Sequence, residues 1–186
     1  PALDRWKQET ACVAVLTAPR NPGEELDAFI VRVLNTERQQ EQEAQLARNR
    51  GTELHSGFEA YFTGREVPKE LDPWIRPAIN ALISFGELAS SEIVLVGPGF
   101  AGRADLIQDC KDFWKIVDIK TSRKLPDPTK GGAYGEHKLQ LAAYAKAWQD
   151  KLRGAGKDKP ILVSNIYVST VNQGEFVICE HETPWE

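Results

Sequence analysis

Apolar positions change their period part-way along this chain: up to about residue 85 they recur at helical spacing, and from about residue 92 they alternate or run together as in strands. Leu3 to Ala14 reads as a helix, and Pro19-Arg20-Asn21-Pro22-Gly23 breaks the pattern. Glu24 to about Tyr61 is helical in two pieces divided near Asn49 to Gly51, the second carrying Leu54, Phe58 and Tyr61 on one stripe. A further helix starts after Pro73 and ends near Ser84. Glu92 to Val96 is β-rich, Gly97 to Gly99 turns, and Gly102 to Gln108 and Phe113 to Thr121 form a hairpin through Asp109-Cys110-Lys111-Asp112. Within it, Trp114-Lys115-Ile116-Val117 is apolar enough for a central strand. Arg123 to Glu136 is a Pro/Gly/Lys loop, too long for a plain connection. His137 to Leu152 is a helix stopped at Arg153-Gly154-Ala155-Gly156. Ile161 to Val171 and Glu175 to His181 are strands around the turn Asn172-Gln173-Gly174.

This order predicts an α+β (α/β/α-like) fold: a central mixed sheet of about five strands flanked by helices. The 186 residues suit a single domain over 1–186, mainly helical over 1–85, with a β-β-β-α-β-β core over 86–186.

Cysteine usage narrows the chemistry. Cys12, Cys110 and Cys179 form no C-x-x-C pair, which argues against a zinc ribbon, an iron–sulfur cluster or a disulfide framework and points to a cytoplasmic protein. No apolar run approaches membrane-spanning length, and no signal peptide opens the chain. Pro1 at the start and the lack of Met suggest a processed or shortened N-terminus. The net charge of −4 neither supports nor excludes nucleic acid. Acidic residues gather in 37–43 and 180–186, while 120–130 holds Lys120, Arg123, Lys124 and Lys130.

The candidate chemistry lies on the central hairpin. If Asp109 and Asp112 flank its turn, Asp105 faces Ile116 and Arg103 faces Asp118. Asp105 and Asp118 are then diagonal neighbours on one sheet face, roughly 7–8 Å apart at the backbone, and Lys120 shares that face by alternation. Two carboxylates and an ammonium in that arrangement suit a Mg²⁺-dependent nuclease, since a cation can sit between the acids. The plain alternative is a solvent-facing strand-end salt bridge. His55 sits at the edge of the Leu54/Phe58 stripe, with Glu59 one turn on as its orienter, and imidazole is an acceptable ligand for Mg²⁺ and a better one for Mn²⁺. Its alternative is a helix histidine satisfied by Glu59. Gln140 and Tyr144, an i, i+4 pair, suit phosphate or base-edge contact, or else form a polar helix edge. Glu92 reads as structural. Ser164, Ser169 and Cys179 have no evident base partner. Gly97-Pro98-Gly99-Phe100-Ala101-Gly102 precedes a strand, so it is no phosphate loop.

Arg50-Gly51-Thr52-Glu53-Leu54-His55, Gly102-Arg103-Ala104-Asp105, Val117-Asp118-Ile119-Lys120-Thr121 and Gln140-Leu141-Ala142-Ala143-Tyr144, in this order, resemble the PD-(D/E)XK nuclease superfamily. The last segment looks like the Q-x-x-x-Y motif of its RecB-like branch. Within that branch the chain is most similar to exonucleases of the phage and mitochondrial-genome-maintenance type, and Pro1 to Lys7 also suits that group. The resemblance implies a restriction-endonuclease-like core. It makes His55, Asp105, Asp118 and the Ile119 carbonyl ligands of Mg²⁺ or Mn²⁺, and Lys120 the residue that positions water and steadies the transition state. Gln140 and Tyr144, with Arg103, Thr121 and Lys124 beside the motifs, would bear on the substrate. Asp118 stands where many relatives have Glu, an accepted variant. The cysteines exclude the iron–sulfur cluster that some relatives hold. The implied function is a metal-dependent DNA exonuclease leaving 5′-phosphate and 3′-hydroxyl ends, in phage or bacterial DNA processing, recombination or repair. Its partners would be single-stranded DNA or a duplex end and a recombination or strand-annealing protein, with no membrane. The alternatives are an endonuclease on the same fold and a non-catalytic nucleic-acid-binding module. The 123–136 loop would serve as a mobile clamp over the strand.

Overall fold

The structure, a computed structural model, describes residues 2–128, 135–156 and 159–181. The chain divides into two compact units, Pro1–Asn49 and Arg50–Glu186. The first comprises α1 (Ala2–Thr17) and the opening turns of α2 (Leu26–Phe62). Its entry to α2 is held by Arg32, which grips Glu24 (2.8 Å). That ion pair holds the Glu24 carboxyl down at about 2.

α2 does not break near Gly51 as the sequence suggests. An interior glycine costs a helix only about 1 kcal/mol against alanine, less than burying Leu54 and Phe58 just beyond it contributes. The glycine is there for clearance: a Cβ at Gly51 would lie 2.7 Å from Thr121 Oγ1.

The second unit is built on a mixed sheet of five strands in the order β1-β2-β3-β4-β5. These are β1 (Glu87–Gly97), β2 (Phe100–Asp109), β3 (Trp114–Ser122), β4 (Ile161–Ser169) and β5 (Phe176–His181). β3 and β4 are parallel, joined through α4 (Gly135–Gly154), and the other pairs are antiparallel. Leu141, Ala145 and Trp148 of α4 pack on one sheet face with Ile107, Ile116 and Val163. Leu54 and Phe58 of α2, with Ile75, Ile79 and Leu82 of α3 (Asp72–Ile83), pack on the other with Leu106, Val117 and Ile166. This is the expected α/β/α-like layering. Among the described residues no helix is long and apolar enough to cross a membrane.

The hairpin register differs from the expected one by two residues. Asp109 pairs with Trp114 inside the ladder, and the turn closes through Cys110 N–H to Phe113 O (3.0 Å). Asp109 Oδ1 accepts the Lys111 N–H at 3.0 Å while Lys111 takes a positive φ of 62°. This side-chain turn moves the pairing. One step beyond the last pair, Leu106↔Val117, Asp105 comes opposite Asp118 rather than Ile116. A shift of two keeps the alternation that a shift of one would have destroyed.

Candidate active site

The site forms where β2 and β3 part. Backbone pairing between them ends at Leu106 and Val117. Beyond it, the Asp105 carboxylate takes the place of a backbone acceptor, its Oδ2 receiving the Ile119 N–H at 2.6 Å. A strand residue's N–H and C=O leave by the same edge, so the Ile119 carbonyl faces the same opening. His55, Glu59, Glu92, Asp105 and Ile119 line a small pocket there.

Asp118 is 2% exposed and tightly held. Lys120 Nζ donates to its Oδ1 at 3.0 Å and lies 2.8 Å from its Oδ2. Asn165 Nδ2 donates to Oδ2 at 2.8 Å. Lys120 also donates to Gln140 Oε1 (3.1 Å), and Gln140 Nε2 donates to the Tyr144 hydroxyl (2.8 Å). Gln140 and Tyr144, expected on the substrate strand, thus line up behind the lysine, with Tyr144 only 5% exposed. The glycine of Gly102-Arg103-Ala104-Asp105 gains a reason. A Cβ at Gly102 would lie 2.6 Å from Tyr144 Cε1 and 2.8 Å from its hydroxyl.

Burial and then the charge of Asp118 push the Asp105 carboxyl up to about 7, against the Ile119 hydrogen bond and the Lys120 charge. His55 is pushed below its ordinary value by burial first and by Lys120 second, with Asp118 opposing. A neutral imidazole offers a lone pair.

Of the other expected residues, Arg103 is exposed at the rim, 2.7 Å from Glu92. Thr121 packs under Gly51. Lys124 lies exposed past the end of β3. Residues 129–134 of the proposed clamp lie outside the described residues. Glu59 pairs with Arg65 Nη2 at 2.6 Å rather than orienting His55.

Residues missed in the sequence stand here too. Glu92 lies between the pairs Ser91↔Leu106 and Ile93↔Ala104, beside Asp105, at a φ of 53°. No sequence signal announces a left-handed residue inside a strand. His137, at the start of α4, brings Nδ1 to 2.7 Å from the Tyr167 hydroxyl and feels the charges of Lys120 and Asp118. Asn165 had a readable signal, an amide inside the apolar run 161–168.

The carboxylates and the carbonyl fit a hard divalent cation in kind, and the imidazole, a softer donor, suits Mn²⁺ better than Mg²⁺. Two acids share the opening with one lysine, so above about pH 7, with Asp105 ionised, they carry an excess of negative charge that a cation would balance. Among the described residues, no three His, Cys, Asp or Glu side chains are gathered into a metal-binding cluster. Each carboxylate is turned to its own donors: Asp118 Oδ2 meets both Asn165 and Lys120, while Asp118 Oδ1 and the Asp105 oxygens keep lone pairs for a further contact.

No curated protein matches the chain in sequence. Among solved structures, that of a candidate exonuclease from Eubacterium rectale is similar at 12% identity, with a TM-score of 0.45 over 72% of this chain. The match spans 59% of that protein's length. The family model of the PD-(D/E)XK nuclease superfamily matches residues 76–178, which takes in the whole parting of β2 and β3 together with α4. Since that match covers more than half of the 186 residues, this chain belongs to the PD-(D/E)XK nuclease superfamily.

Proposed function

We propose that the chain is a metal-dependent deoxyribonuclease of the RecB-like branch that hydrolyses phosphodiester bonds from the ends of linear DNA. The observation that carries this reading is the meeting of Asp105, Asp118 and Lys120 where β2 and β3 part, with Gln140 and Tyr144 behind the lysine. Asp105, Asp118, His55 and the Ile119 carbonyl hold Mg²⁺ or Mn²⁺. When bound, such a cation lowers the pKa of a water and offsets charge on the phosphate oxygens.

Lys120 brings positive charge to where negative charge develops and orients the attacking water. Gln140 and Tyr144 act through Lys120, holding its ammonium toward Asp118. Arg103 at the rim, with Thr121 and Lys124, contacts the DNA backbone. The products carry 5′-phosphate and 3′-hydroxyl ends, which suits recombination or repair beside a strand-annealing partner in a phage or bacterial setting.

The test is incubation of labelled linear and circular DNA, single- and double-stranded, with Mg²⁺, Mn²⁺ or EDTA. Degradation of linear DNA only, abolished by EDTA, is the expected result. Cutting of circles would make the protein an endonuclease, and tight binding without cleavage would make it a binding module.

A second expectation follows from the clearance at Gly102. Gly102→Ala forces Tyr144 aside and, through Gln140, loosens Lys120. Small misplacements of a catalytic group cost up to about 100-fold. We expect kcat to fall roughly 10- to 100-fold with KM for DNA little changed. An unchanged kcat in steady-state kinetics would show that the Tyr144–Gln140 support is dispensable.

A further inference from the structure

The support of Asp118 does not end at Lys120. Asn165 is fully buried on β4, in parallel register with Asp118. Its Nδ2 donates to Asp118 Oδ2 at 2.8 Å, and its Oδ1 lies 2.8 Å from His181 Nε2 on β5. The carbonyl can only accept, so the His181 ring carries a proton on Nε2 and donates it to Asn165. The amide has one workable orientation, because a flip would set its oxygen against a carboxylate. Val163 and Cys179, which share its face of the sheet, are both buried. A buried amide among them is unfavourable unless both of its ends are bonded. Here both ends are bonded, one of them to the carboxylate assigned to the cation. The register explains the geometry: Asn165 pairs with Cys179, which sets His181 one diagonal step away on the same face.

We propose that Asn165, backed by His181, is the positioning residue for Asp118. It pins Oδ2 from behind, so that Oδ1, which accepts one bond from Lys120, turns its other lone pair to the opening where the cation would sit. The inference rests on the metal-dependent reading above. Partners of this kind, which orient a ligand without touching the metal, typically change metal affinity 10- to 100-fold when removed.

The test is Mn²⁺ binding without DNA, followed by loss of the free-ion electron paramagnetic resonance signal. Wild type is compared with Asn165→Val, His181→Leu and His181→Gln, and each metal-free melting temperature is measured alongside. Asn165→Val is expected to bind Mn²⁺ about 10- to 100-fold more weakly. His181→Leu, which strands the Asn165 carbonyl, should weaken binding several-fold, and His181→Gln, whose amide can still donate, should restore it. A merely structural role would lower the melting temperature of both His181 variants without separating their Mn²⁺ affinities. If Asn165→Val does not fold, the two His181 variants decide the matter alone. Wild-type affinity in Asn165→Val or His181→Leu overturns the positioning role and leaves the metal-dependent reading standing. Failure of wild type itself to bind Mn²⁺ overturns both.

Discussion

Lys120→Ala is expected to lower kcat for DNA hydrolysis roughly 100- to 1,000-fold, the usual cost of losing one group aimed at developing charge. The same variant should bind the divalent cation at least as tightly as wild type. The lysine is the cationic partner of the nearly fully buried Asp118, 2.8 Å from its Oδ2. Removing it leaves Asp118 supported by the neutral Asn165 amide. An uncompensated buried charge destabilises a fold by about 3–5 kcal/mol. Metal-free Lys120→Ala should therefore melt well below wild type, and Mg²⁺ should recover more of that loss than it adds to wild type, because the cation takes over as counter-charge. Asp118→Asn should behave in the opposite way, losing hydrolysis and cation binding together. Calorimetric melts with Mg²⁺ and with EDTA, beside single-turnover cleavage, separate the two. Hydrolysis by Lys120→Ala within tenfold of wild type would remove the lysine from the chemistry.

Asp105→Asn should make the metal-free protein more stable at pH 8 while abolishing metal-dependent cleavage. Burial and the Asp118 charge raise the Asp105 carboxyl from 3.8 to about 7 in the folded protein. The folded state thus binds this proton more tightly than the unfolded chain does. Its contribution to stability is fully present below about pH 4 and is lost as pH rises through about 7. Above that pH the folded protein holds an ionised, largely buried carboxylate, at a cost of order 4 kcal/mol as an upper bound. Asparagine carries no such charge and can still accept the Ile119 N–H. In EDTA, urea unfolding of the two proteins should diverge between pH 4 and pH 7 in favour of the variant and stay apart above it. Mg²⁺ should close the gap at pH 8 by stabilising wild type only, and it should bind less tightly below about pH 7, where the proton competes for the carboxylate. Parallel pH profiles for both proteins in EDTA would refute the account.

The elements were legible because their causes are local. Apolar spacing and the Gly/Pro breaks depend on neighbours a few residues away, so the three helix-forming stretches before β1, the hairpin, α4 and the last two strands stand close to where the sequence places them. The pairing of Asp105 and Asp118 with Lys120 was readable for the same reason, since alternation along two adjoining strands survives a register error of two. Gly51 shows where that reasoning fails. Local propensity reads a break, while the close approach of Thr121, seventy residues on, requires a glycine in a continuous helix.

What only the tertiary structure decided is how each functional group is held. The placing of Gln140 and Tyr144 behind Lys120 depends on how α4 lies across β2 and β3, which the i, i+4 spacing leaves open. Glu92 stands in the same small pocket as Asp105 with its own backbone left-handed inside β1, a state that local sequence does not announce. Asn165 meets Asp118 because β4 runs parallel to β3 in one register out of several that would bury the same apolar faces. Sequence periodicity tells which way a side chain points. Hydrogen bonds a few ångströms long between residues 20 to 47 positions apart depend on the packing of whole elements, and that is settled only when the chain closes on itself.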